Sequence, residues 1–254
     1  MFKSSWLVRR MFKKSSSASS GTRRKSSRFC ASERRGHIES LESRSLLSAV
    51  SLIGTHLHLG INADGSLVLP DSSLGARFGG GRDFFTPGTP LESFSISANG
   101  NTYTNASPSG SSQIPVTTTN ISSGGQLSAS VIGSIAGLSV NRTISFKNSD
   151  FNSSGGFVTF TTTLTNSTGA TISNVAFLEN GDPDQDLASY ATLNDVVVGG
   201  DFVRATAPSS PSGLTVGLGS FDPRAVVSAE GFFVTNPFDV INSPVDPNGA
   251  LEDI

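Results

Sequence analysis

The chain has 254 residues, one cysteine and a formal net charge of -2, figures that average two unlike parts. Residues 1–47 carry twelve Lys and Arg against three Glu, whereas residues 48–254 carry six against seventeen. The cysteine, Cys30, lies in the basic part; the acidic remainder therefore has no disulfide, thiolate nucleophile or cysteine metal ligand, and its roughly 200 residues suffice to bury one sizeable core. The longest weakly polar runs, 46–54 and 131–140, are about half the ~20 residues that a membrane helix needs, so no transmembrane anchor is expected.

Residues 1–36 mix serine runs with basic pairs such as Arg9-Arg10, Lys13-Lys14 and Arg34-Arg35. Such a stretch has too little apolar surface to fold alone, and a disordered basic leader is expected. Clustered cations can bind nucleic acid by releasing counterions, but neither interleaved aromatics nor a folded basic face accompanies them, so that partner is disfavoured. Residues 37–55 follow the basic stretch with a moderately apolar run, Leu46-Leu47-Ser48-Ala49-Val50-Ser51-Leu52-Ile53-Gly54, the order of an export signal. Within it, Leu41, Glu42, Arg44, Leu46, Leu47, Ser48 and Ala49 resemble the LEPR-xLL motif near the N-terminus of large secreted or surface proteins of bacteria, with Ser43 where that motif has Pro. The resemblance implies export of the remainder and says nothing of activity.

Residues 56–90 read as a first strand followed by an irregular Gly/Pro loop, with Gly79-Gly80-Gly81, Pro87 and Pro90. These glycines lack the strand-before, helix-after setting of a phosphate loop. Beyond them, apolar residues recur at period two. Val140, Arg142, Ile144 and Phe146 share one face of a strand, which only Arg142 spoils; Val158, Phe160, Thr162 and Leu164 share another, and the Gly-containing segment 166–170 suggests a hairpin to a strand at 172–178. Further strands are expected at 91–98, 102–104, 114–121, 126–132, 192–198, 201–207, 214–218, 225–229 and 232–235, with turns at Asn99-Gly100, Gly124-Gly125 and Gly199-Gly200. About ten short strands without a helical crossover predict an all-β fold, an antiparallel β-sandwich over residues 91–254.

The densest candidate site is Glu179-Asn180-Gly181-Asp182-Pro183-Asp184-Gln185-Asp186. Asp182, Asp184 and Asp186 at alternate positions of a loop can converge on a hard cation such as Ca²⁺, with Asn194 and Asp195 completing its oxygen shell; the alternative is an exposed acidic turn. It is not an EF-hand, because Leu187 and Leu193 stand where that loop needs Gly and Glu. Residues 177–186, Thr192-Leu193-Asn194-Asp195 and Asp246-Pro247-Asn248-Gly249-Ala250 together resemble a β-sandwich module of bacterial exoproteins, some with haemolysin-type calcium repeats. That resemblance brings no catalytic residues and implies more chain after Ile254, so the sandwich is expected to be C-terminally incomplete.

His56 and His58 would share one face of a strand, but two imidazoles underfill a zinc site. No nucleophile elbow is present, and Glu92 and Glu179 read as ordinary surface carboxylates. The expectation is an exported, non-enzymatic domain of a cell-surface or extracellular bacterial protein, with a structural or adhesive role and surface polymers or other surface proteins as partners. The alternative is a carbohydrate-binding or carbohydrate-active sandwich, for which Trp6, Tyr103 and Tyr190 offer few aromatic platforms.

Overall fold

The computed structural model describes residues 48–79, 81–107, 110–185, 195–199, 202–206, 214–230 and 233–244; the expected basic leader lies outside them. The described chain is an all-β, antiparallel β-sandwich of four sheets with one short helix. Sheet I has the order β11-β10-β9-β8 and comprises β8 (Val116–Asn120), β9 (Gln126–Ile135), β10 (Leu138–Lys147) and β11 (Thr159–Asn166). Sheet II, ordered β12-β5-β6-β7, comprises β5 (Glu92–Ala98), β6 (Asn101–Ser107), β7 (Ser111–Ser112) and β12 (Ala176–Gly181). Sheet III is formed in chain order by β1 (Val50–Ile53), β2 (Leu57–Ile61), β3 (Ala76–Phe78) and β4 (Arg82–Asp83). Sheet IV is formed by β13 (Asp195–Gly199), β14 (Phe202–Thr206) and β15 (Thr215–Gly219), and helix α1 is Pro237–Asn242.

Period two governs β10 as the sequence predicts. Leu138, Val140, Arg142, Ile144 and Phe146 are all buried, while Ser139, Asn141 and Lys147 are exposed. This one inner face serves two cores. Leu138 and Val140 join Val116 and Val131 against Phe94, Ile96 and Ala98 of β5. Further along the strand, Ile144 and Phe146 join Ala129 against Val50, Leu52, Leu57, Leu59 and Ile61 of sheet III. Each such side chain contributes about 1.5–3 kcal/mol by leaving water. Arg142 lies between the two groups, where sheets II and III meet over sheet I.

Several sequence expectations change. Val50 and Leu52, read as part of the export run, are 6% and 0% exposed and belong to the core, so the boundary expected at residue 55 falls inside sheet III. The expected first strand is β2, but the irregular loop expected after it, at 70–90, contains β3 and β4, held in part by Asp83: its carboxylate accepts the N–H groups of Gly75 (2.9 Å), Ala76 (3.2 Å), Phe85 (3.0 Å) and Thr86 (3.1 Å). Four donors on one carboxylate replace a ladder that so short a pair of strands cannot supply. Finally, β11 and β12 are not a hairpin. β11 pairs with β10 and β12 with β5, because the intervening segment is drawn across by Asn99: its N–H donates to the Ser173 carbonyl at 2.7 Å, and its side-chain oxygen accepts from the Ser173 N–H at 2.9 Å. The Phe177 ring then stacks on Phe94 at 6.2 Å. The segment 225–229, expected as a strand, is not one.

Candidate functional site: a buried arginine between two carboxylates

Three strands bring a charge to the seam between the two cores. On β5, Glu92 precedes Phe94, Ile96 and Ala98 at alternate positions and so shares their inward face. On β12, Glu179 follows Phe177 in the same way, and on β10 Arg142 stands between Val140 and Ile144. The Arg142 side chain is fully buried and those of Glu92 and Glu179 are 3% and 18% exposed. Arg142 Nη2 donates to Glu179 Oε1 and lies 3.6 Å from Glu92 Oε1. The other Glu92 oxygen accepts the Leu67 N–H, tying the start of β5 to the loop after β2. Next to that contact, Val68 is fully buried at φ 72°, a strained conformation for a β-branched residue that its packed surroundings must hold.

The guanidinium carbon sits 4.7 Å from the centre of the Phe94 ring and 5.3 Å from that of Phe160. Arg142 Nε and Nη1 have no hydrogen-bond partner among the described residues, and the electron-rich ring faces take over part of that role. Two carboxylates against one cation leave an uncompensated negative charge in a dry place. Burial and, after it, the Glu179 charge push the Glu92 carboxyl well above the usual range, against the opposing pull of Arg142 and the Leu67 N–H. A proton on Glu92 makes the cluster neutral. Asp64, nearby in the charge field of Arg142, is also raised, by burial, although Ser66 and Arg142 oppose the shift.

A groove of about 670 Å³ is lined by Asn62, Asp64, Pro115, Thr117 and Ile132 among others, and a second of about 290 Å³ by Ser97, Thr102 and Asn236; neither is lined by Arg142, Glu92 or Glu179. Glu92 and Glu179, read from sequence as surface carboxylates, are corrected to a buried and a half-buried partner of the one residue that broke the β10 pattern.

Of the expected cation ligands, Asp182 and Asp184 are half-buried just after β12, their N–H groups donating to the carbonyls of Leu91 (3.1 Å) and Phe84 (2.9 Å). Asp186 and Asn194 lie outside the described residues, and of Asp195 only its backbone place at the start of β13 is described. Among the described residues no three His, Asp or Glu side chains gather as a metal would require. His56 precedes β2 and His58 lies within it, so one strand does not present both. Comparison of the chain with protein-family models, curated proteins and solved structures finds no match.

Proposed function

We propose that the chain is an exported, non-enzymatic β-sandwich domain that serves a structural or adhesive role at a bacterial cell surface or outside the cell, with surface polymers or other surface proteins as partners. The observation that carries this reading is the order of a basic leader, the LEPR-xLL-like string at 41–49 and then a Ser/Thr/Asn-rich sandwich. Mass spectrometry of the form recovered outside the producing cell tests it. The expected species has lost the leader yet starts before Val50, since a later cut would remove the buried Val50 and Leu52 from the core. Recovery of the intact chain from the cytoplasm alone overturns it.

Calcium belongs to the same proposal, with Asp182, Asp184, Asp186, Asn194 and Asp195 as oxygen donors. The pinned backbone at Asp182 and Asp184 supports it, because a loop held at two points orders carboxylates at little extra entropic cost. Chelation with EGTA should lower the melting temperature; an unchanged one removes the calcium clause.

A carbohydrate-binding reading has one observation in its favour. Phe157 and Phe221 are 81% and 104% exposed, aromatic surface in addition to the rings of Trp6, Tyr103 and Tyr190. Saturable binding to a polysaccharide panel, abolished by Phe157→Ala with Phe221→Ala, would establish it.

A further inference from the structure

Strand β11 forms one edge of sheet I. Residues 138–145 of β10 pair along one side of it without a bulge, and among the described residues no strand pairs along the other. A free edge offers a row of unpaired N–H and C=O groups, which proteins ordinarily blunt with charge, proline, a bulge or brevity. Four other edges are so protected: β4 and β7 are two residues long, Pro115 precedes β8, and α1 packs against β12. The eight residues of β11, Thr-Phe-Thr-Thr-Thr-Leu-Thr-Asn, include no charge, proline or glycine. Thr159, Thr161, Thr163 and Thr165 face solvent, and Phe160, Thr162 and Leu164 are half-buried on the inner face.

The strand is also its own complement. Read backwards, 159–165 gives the same pattern with only Phe and Leu exchanged. Two copies laid antiparallel about a two-fold axis at Thr162 would set Thr159 opposite Thr165, Phe160 opposite Leu164 and Thr161 opposite Thr163. Every inner pair is then apolar or the central Thr162 pair, and every outer pair joins two hydroxyls, the cross-strand matches that stabilise a sheet. A slip by one residue would turn the inner face of one copy to the solvent side of the other, and a slip by two would put Phe160 against Thr162, so the register is specified. We infer that β11 is a homodimerisation edge, joining two copies of sheet I into one continuous eight-stranded sheet through an isologous interface.

The test uses the full chain and size-exclusion chromatography with light scattering across a concentration series. The expected mass is twice the 26.3 kDa of one chain. Thr161→Lys with Thr163→Lys alters two side chains that face solvent in the protomer but sets ammonium against ammonium at two cross-strand pairs of the dimer. It should weaken association at least tenfold while leaving the circular dichroism spectrum unchanged. Thr161→Lys with Thr163→Glu changes the same positions but sets each ammonium against a carboxylate, and should restore the dimer. Should the double-lysine chain fail to fold, this second variant alone decides. A wild-type mass of one chain at all concentrations overturns the proposal, as does a double-lysine variant that dimerises like wild type or a lysine-glutamate variant that stays monomeric. A monomer with exchange-protected β11 amides would assign the edge to another segment of the same chain and also overturn it.

Discussion

Arg142 pays for its place in the core only while both carboxylates stay with it. Removing one partner of a buried ion pair leaves an uncompensated charge and costs about 3–5 kcal/mol, whereas replacing the whole group by neutral side chains of similar shape is often neutral or favourable. Arg142→Met alone should therefore destabilise by about 3–5 kcal/mol in urea titrations, and the triple change Arg142→Met, Glu92→Gln, Glu179→Gln should recover most of that loss. Glu92 adds a pH dependence. Its carboxyl is raised in the folded protein by burial and by Glu179, so the fold binds a proton that the unfolded chain has already released. Stability from this group is complete below the ordinary carboxylate range and is lost as pH rises through the elevated folded value, with a slope of at most about 1.4 kcal/mol per pH unit for one proton. Melting temperatures measured from acidic to alkaline buffer should fall in the wild type over that window and lose this component in Glu92→Gln, whose amide needs no proton to stay neutral and keeps an oxygen for the Leu67 N–H.

At the scale of elements, the two-residue connection between β9 and β10 combines Ala136 at φ 49° with Gly137 at φ 83°. Both positions of such a hairpin turn lie in the left-handed region, which Asn-Gly suits and which costs alanine about 1 kcal/mol. Ala136→Asn should raise stability by about 0.5–1 kcal/mol, measured by denaturant midpoint at unchanged m-value. The turn between β5 and β6 already uses Asn99-Gly100 at φ 52° and 80°, and there the dipeptide announced the hairpin in the sequence. Strands β10 and β11 were legible through their clean period of two. Three features were less so. The departure of β12 from β11 depends on Asn99, 74 residues before Ser173 in the chain, a contact that local pattern does not encode. The burial of Glu92 was in principle readable, since period two places it beside Phe94 and Ile96, but a carboxylate on an inward face makes sense only once its cation is known to arrive from β10. The short strands β3 and β4 were too brief for an apolar alternation to reveal them, and their place depends on the hydrogen bonds that Asp83 accepts as well as on Ala76 and Phe78 packing into the core.

For the whole molecule, the decisive feature is that a single strand face carries two cores. β10 gives Leu138 and Val140 to the contact with sheet II, gives Ile144 and Phe146 to the contact with sheet III, and is closed at the junction by Arg142 reaching Glu92 and Glu179. A boundary between independently melting units would need a linker with few contacts across it, and here the boundary runs through the middle of a ten-residue strand. The two cores should therefore open together. Leu52 lies wholly in the sheet III core, and Leu52→Ala should cost about 2–5 kcal/mol through lost transfer energy and the cavity left behind. In native-state hydrogen exchange, the slowest amides of β5 and β6, which pack only on the other core, should lose protection by the same free energy as those of β1 and β2. Loss confined to sheet III would mean that the seam, despite its buried arginine, divides the sandwich into two cooperative units, since protection follows the unit that must open to expose each amide.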